Sequence, residues 1–248
     1  MKKINLGLIG ASGKMGTAIR DALKKNSTFV PFLSLSSKDC PDFLNYFSAL
    51  SDVPPKLLNK VHVWIEFSSP ENLQSTLDYL KKYAAPFHLV SGTTGLNPDH
   101  FKKMKSLGKT NALFWASNMS PGLWALRQSL KSLSIISNFN FSIEETHHLQ
   151  KKDNPSGTAI TLQKDIESII GRKIPTPIGH READVFGEHT ITAKSDSEIL
   201  NFEHIALNRA VFANGALRAA EFLVKKKTGF YSMEDLGASK VRNKISKK

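Results

Sequence analysis

The chain has 248 residues, 40% hydrophobic and 23% charged, an ordinary globular mix that builds a real core in one large domain or two modest ones. No apolar run approaches the ~20 residues a bilayer requires, and no apolar signal segment follows the basic start. A single cysteine, Cys40, excludes an internal disulfide and a cysteine zinc site and suits a reducing compartment, so a soluble, cytoplasmic protein without membrane partners is expected.

The formal net charge is +12, but from Lys225 to Lys248 eight Lys or Arg stand against Glu234 and Asp235, so this end carries six of the twelve charges. It reads as a solvated, frayed basic tail, and with no nucleic-acid-binding motif in the chain, nucleic acid is not an expected partner.

In chain order, INLGLIGASGKMGTAIRDALKKN is an apolar run, a glycine turn and a helical pattern with Met15, Ile19, Ala22 and Leu23 on one face. FVPFLSL predicts a second strand, where Pro31 points to an edge or a late start. VHVWIEF, PFHLVS and NALFWAS predict three more strands, with helices over Glu71 to Tyr83 and Pro98 to Leu107 between them. Strands alternating with helices imply an α/β, Rossmann-type, doubly wound parallel sheet. After about Asn118 the texture becomes α+β: FNFSIEETHH alternates as a strand, SGTAITLQKDIESIIG is an amphipathic helix stopped by Gly171, and HTITAK and ILNFEHIAL read as antiparallel strands. NGALRAAEFLVKKK returns to helix, with a short helix near Ser232 to Leu236. The expected organisation is a dinucleotide-binding domain over 1–118, a substrate-binding and oligomerisation domain over 119–211, and a segment over 212–248 that returns to the first domain.

GASGKMG follows the first strand and opens a helix, the place where glycines let a backbone turn and approach a pyrophosphate. It departs from GxGxxG at Ser12 and Met15. SGTTG and WASNMSPG also leave predicted strands at their carboxyl ends, where ligands bind in such sheets. In PSGTA, Ser156 is placed as an N-cap, and the helix start beyond it offers amides and a positive dipole end to a carboxylate. His147, His148, Lys151 and Lys152 nearby suit a substrate with more than one carboxylate. On a strand the two histidines face opposite ways: Phe141, Ile143 and Glu145 share the face of His147, and Ser142, Glu144 and Thr146 that of His148. One histidine is expected to act in acid/base chemistry. No metal is expected, since no helical i, i+4 histidine pair and no cysteine partner appears; the alternative is convergence of His180 and His189.

Across GASGKMG, EFSSPE, SGTTG, ASNMSPG, ETHHLQKKDNPSGTA, GEHT and FANGA, in this order and over nearly the whole chain, the sequence resembles the 4-hydroxy-tetrahydrodipicolinate (dihydrodipicolinate) reductase family. The resemblance implies reduction of a small cyclic dicarboxylate in the diaminopimelate and lysine pathway with NADH or NADPH, by a homotetramer. It implies coenzyme contacts from Gly10, Ala11, Ser12, Gly13, Lys14 and Met15, from Gly92, Thr93 and Thr94, and from Ala116, Ser117, Asn118 and Met119. It puts substrate on His148, Gly157 and Thr158, beside Ser156, and proton chemistry on His147 and Lys151. The chain departs from the family at Ala183, usually glycine, and at Ser69 and Pro121 in otherwise recognisable loops.

A non-catalytic nucleotide sensor would not need the histidine, lysine and anion site together, and a semialdehyde dehydrogenase would need a cysteine in the second domain, whereas Cys40 lies in the first. At the end of the second strand an NAD-binding domain usually carries an acidic residue; here the chain reads LSLSSKD. Ser36 and Ser37 are neutral donors and Lys38 a cation, so NADPH is the expected preference; the alternative is that Asp39 makes the acidic contact.

Overall fold

A computed structural model describes residues 3–84, 86–183 and 185–238. In chain order the elements are β1 (Ile4–Ile9), α1 (Lys14–Lys24), β2 (Phe29–Leu35), β3 (Asn45–Phe47), α2 (Pro55–Leu58) and β4 (Val63–Glu66). Then come α3 (Pro70–Tyr83), β5 (His88–Ser91), α4 (Pro98–Leu107), β6 (Ala112–Trp115), α5 (Pro121–Ser129) and β7 (Asn140–His148). The last are α6 (Gly157–Ile170), β8 (Ile178–Glu182), β9 (Glu188–Lys194), β10 (Ile199–Ile205), α7 (Ala210–Leu223) and β11 (Gly229–Tyr231). The chain divides into two compact units, Met1–Met119 with Phe212–Lys248, and Ser120–Val211.

The first unit is built on a seven-stranded sheet of order β11-β6-β5-β4-β1-β2-β3, every pairing parallel. Parallel neighbours need a crossover, and α3 and α4 supply it between β4, β5 and β6. The sequence sets where those helices begin: Ser69 caps α3 ahead of Pro70, and Asn97 makes a capping box with His100 ahead of Pro98. The two-sided cover explains the apolar runs, since Leu6, Leu8, Trp64, Ile65 and Phe114 are all fully buried.

Although β2 lies between β1 and β3, Pro31 itself pairs with β1 alone, so it stands where the strand is locally an edge, as expected. The proline is tolerated because the β1 register shifts between Leu6 and Gly7, opposite it, and β3 pairs only from Leu33 onward. The short strands β3, β8 and β11 have no counterpart in the sequence reading, for three to five residues carry too little period to announce themselves. The C-terminal segment packs within this unit: α7 buries Ala216, Leu217, Ala220 and Leu223, and β11 pairs with β6. Residues 233–238 form the expected short helix; the rest of the basic tail lies outside the described residues.

The second unit holds a four-stranded sheet of order β10-β9-β7-β8, with β7 and β8 parallel and the other pairs antiparallel. Along β7 burial alternates, placing Phe141, Ile143, Glu145 and His147 inward. The inner face packs Phe141, Ile143, Ile191 and Ala193 with Leu162 and Ile166 of α6, a helix that starts after Ser156 and ends at Gly171 with φ 75°.

Gly16 of α1 lies so close to the preceding turn that a Cβ would stand 2.2 Å from the Gly10 carbonyl oxygen and 2.6 Å from the Ala11 carbonyl carbon. Backbone cannot yield as a side-chain tip does, so Gly16→Ala is expected to lower stability by about 1–3 kcal/mol, read as a lower urea midpoint at unchanged slope.

Candidate active site

At the carboxyl end of the first unit's sheet, Gly10 adopts φ 82°, and a Cβ there would meet the Phe67 carbonyl oxygen at 2.4 Å. Gly13 is the N-cap of α1; no side chain caps this helix and no acidic residue sits in its first turn, so its start suits an anion. The glycine that lets this helix approach the turn is Gly16, one residue later than in GxGxxG, which explains why Met15 is tolerated. Ala11 is buried, Ser12 half-buried, and Lys14 and Met15 open α1.

Gly92 passes the Phe67 ring so closely that a Cβ would lie 2.0 Å from it, which puts the SGTTG loop beside the glycine turn. That loop is fastened through Glu66, a fully buried carboxylate that accepts from Ser68 N (2.7 Å), Ser91 Oγ (2.7 Å) and Thr93 Oγ1 (2.8 Å). Thr93 is buried and Thr94 exposed. In the next loop Ala116 donates to Ser91 O at 3.3 Å, Ser117 and Asn118 are half-buried, and Met119 is buried. A cleft of about 600 Å³ opens beside these turns, lined by Gly10, Ser12, Ser36, Ser37, Thr76 and Tyr79. Lys38 and Asp39 are exposed just beyond Ser37 and do not line it. The sequence reading missed Thr76 and Tyr79, whose only signal is a polar side of α3.

In the second unit the inward face of β7 carries a charged cluster. Glu145, buried to 1% exposure, accepts from His147 Nδ1 on Oε2, and on Oε1 from Ser156 N, Arg181 Nη1 and Arg181 Nη2, each at 3.1 Å. Lys151 Nζ pairs with Asp153 Oδ1 at 2.8 Å, and Asp153 Oδ2 accepts from Gly157 N at 3.1 Å. Ser156 caps α6, as expected, by accepting from Ala159 N at 3.2 Å, and Thr158 is buried in its first turn. The reading of this helix start as a set of open amides is corrected. The amides of Ser156 and Gly157 are taken by the chain's own Glu145 and Asp153, because two carboxylates fold back onto the same positive end.

His148 is half-buried on the opposite face of β7, away from His147. His180 also stands on that outer side, 3.6 Å from Glu144, and does not converge with His189. His189 instead lies edge-on to His147, ring centroids 5.1 Å apart. Arg181, Asp153 and His189 were missed as site residues; Glu145 had a signal, since two positions along a strand return to the same face.

Burial opposes charge on Glu145 and on Asp153, but the hydrogen bonds and charges of His147 and Arg181 on one, and of Lys151 and the Gly157 amide on the other, outweigh it. Both carboxyls sit below the ordinary range. For His189, burial first, then the neighbouring His147 and His204, outweigh the attraction of Glu145 and lower it to about 3, so it is neutral. Glu145, His147 and His189 bring one ligand atom each to within 4.8 Å of one another, a set of the kind transition ions accept. Arg181 and the Ser156 amide already hold Oε1 of Glu145, so a positive charge stands beside that set.

A Rossmann-type sheet with a phosphate-ready glycine turn, followed along the chain by an α+β unit that carries a histidine and a lysine each paired with a carboxylate, is the make-up of an NAD(P)-dependent oxidoreductase. Residues 4–119 match the family pattern described as "Dihydrodipicolinate reductase, N-terminus", and residues 122–236 that described as "Dihydrodipicolinate reductase, C-terminus". The chain belongs to the dihydrodipicolinate reductase family. It is 42% identical over 237 residues to the 4-hydroxy-tetrahydrodipicolinate reductase of Bdellovibrio bacteriovorus, covering 95% of this chain and 97% of that one. It is 33% identical to the enzyme of that name from Thermosipho africanus, over 94% and 97% of the two chains. A solved dihydrodipicolinate reductase with bound dipicolinate, from a Paenisporosarcina species, shares the fold with TM-score 0.74 at 18% identity, over 94% of this chain and 99% of that one.

The neutral state of His189 generates a pH prediction. With a folded value of about 3 against an ordinary 6.5, the unfolded chain takes up the proton first as pH falls, so stability is lost through that window. The slope from this group is at most about 1.4 kcal/mol per pH unit. Urea midpoints measured from pH 6.5 down to 5 are expected to fall in the native protein and to fall less steeply in His189→Gln, where His204, also lowered by burial, keeps part of the slope.

Proposed function

We propose that this protein reduces 4-hydroxy-tetrahydrodipicolinate to tetrahydrodipicolinate with NAD(P)H, in lysine and diaminopimelate biosynthesis. The observation that carries it is the double pairing at the start of α6, His147 with Glu145 and Lys151 with Asp153, in a chain of this family. The coenzyme, when bound, supplies a hydride. The turn at Gly10 to Met15, with Gly92 to Thr94 and Ala116 to Met119, is the region for its contacts.

Loss of the 4-hydroxyl as water leaves a conjugated imine, and hydride addition to it builds negative charge on the ring nitrogen and the adjoining carbon that one proton then neutralises. Lys151 stabilises that charge and His147 delivers a proton, while Thr158 in the first turn of α6 engages a carboxylate; the Gly157 amide is already held by Asp153, and His148 stands on the other face of β7. Ser156 contributes as the cap that shapes the helix start, its own amide being held by Glu145.

A coupled assay following NAD(P)H loss with freshly made substrate tests the reading. His147→Ala and Lys151→Ala are each expected to lower turnover at least ~100-fold with little change in coenzyme affinity. Thr158→Val is expected to act mainly on KM, by about 1–3 kcal/mol. Near-normal turnover in both of the first two variants would remove these residues from the mechanism.

NADPH is the proposed preference. The β2 strand ends at Leu35, so Ser36 and Ser37 meet the cleft directly and the Lys38 charge follows them. Lys38→Ala is expected to weaken NADPH use about tenfold and leave NADH nearly unchanged, read as kcat/KM for each coenzyme. A wild-type preference for NADH would overturn this.

Assembly as a homotetramer is supported by the outer face of the second unit's sheet, where Ile178, Ile199 and Ile205 are exposed among Thr146, Thr190 and Thr192. Light scattering should return four times the 27.5 kDa of one chain.

A further inference from the structure

We infer that Glu145 is a positioning residue for the reduction: it fixes the proton of the His147 imidazole on Nδ1, leaves Nε2 as the atom that exchanges a proton, and ties the ring to the start of α6. This rests on the proton role proposed for His147 above.

The geometry of Glu145 carries the inference. Its side chain has no exposure, and each oxygen is committed, Oε2 to His147 Nδ1 and Oε1 to the Ser156 amide and the Arg181 guanidinium. An ionised carboxylate only accepts hydrogen bonds, so the proton between it and the imidazole belongs to Nδ1. Only Nε2 is then left to give or take a proton, a division that the partner of one ring nitrogen always imposes on the other.

The surroundings of Nε2 agree. Gly187 lies on that edge with φ 144°, and a Cβ there would come within 3.0 Å of Nε2. A bare stretch of backbone thus borders the exchanging atom, where any side chain would press on it.

The second consequence is mechanical. His147 sits on β7, and the proposed carboxylate-binding residue Thr158 sits on α6; a single carboxylate bonds to β7 and to the start of α6 through its two oxygens. The distance between the proton-delivering ring and the helix start is therefore set by the width of one carboxyl group. Arg181 of β8 balances the charge that Glu145 brings into the interior. Gly179, paired with Glu145 across β7 and β8, leaves the room it needs, since a Cβ at that position would lie 2.6 Å from Oε1.

The isosteric change Glu145→Gln tests this. A neutral amide in that place can present an N–H to the ring and so allow the other tautomer. Turnover is expected to fall at least ~10-fold, with KM for substrate and for coenzyme held within about threefold. In a His147→Ala background the same change is expected to cost less than about threefold more, because Glu145 acts through the ring. Losses that multiply in the double variant would overturn the inference. Near-normal turnover of His147→Ala alone would instead defeat the proton role of His147, so the two failures are distinguishable. Nitrogen-15 NMR of neutral His147 in the wild-type protein needs no variant to fold. A proton on Nδ1 is the expected signature, and a proton on Nε2 would overturn the inference.

Discussion

A carboxylate removed from water must be surrounded by donors, and residues 120–211 are organised around that demand at Glu145. Its four hydrogen bonds reach the next inward residue of its own strand, the start of α6 and the neighbouring strand β8. Leaving such a group with a partner missing costs on the order of 3–5 kcal/mol, so the same contacts that hold these three elements in register also hold the imidazole. The stability of this unit and the orientation of its histidine are one interaction viewed twice.

The first unit uses a buried carboxylate in a related way, without a cation. Glu66 ends β4 and gathers the hydroxyls of Ser68, Ser91 and Thr93, which fastens the SGTTG loop to the loop after β4. Gly10 and Gly92 then pack against the same Phe67, one on its backbone and one on its ring. Loops whose flexibility would otherwise be lost on binding are ordered beforehand.

The two helix starts divide the labour. At α1 no side chain caps the helix and its first turn holds no acidic residue, so its positive end is of the kind that suits a phosphate. At α6 Ser156 caps, and Glu145 and Asp153 take two further amides. There the positive end has become a mount for the carboxylates that hold His147 and Lys151. The sequence contains the ingredients of both, a Gly-rich turn and a Pro-Ser-Gly-Thr turn, and suggests the same use for each. Only folding distinguishes them, because Glu145 lies eleven residues before Ser156 and Arg181 thirty-six after Glu145.

By itself the sequence determined the alternation of strand and helix, the glycine turn after the first strand, the return of the C-terminal helix and the opposite facing of His147 and His148. These are readings of local period and of residue types with narrow backbone preferences, which act within a few positions. Ser69 and Pro121, departures from the family pattern, take up the N-cap of α3 and the first turn of α5. Tertiary structure alone decided that Glu145 unites His147 with Arg181 and Ser156, that Asp153 takes up Lys151, and that His180 and His189 part to opposite faces. Each of these depends on which strand lies beside which, and burial then makes unpaired charge too costly to leave alone, so the partners are chosen by the packed sheet and not by proximity along the chain.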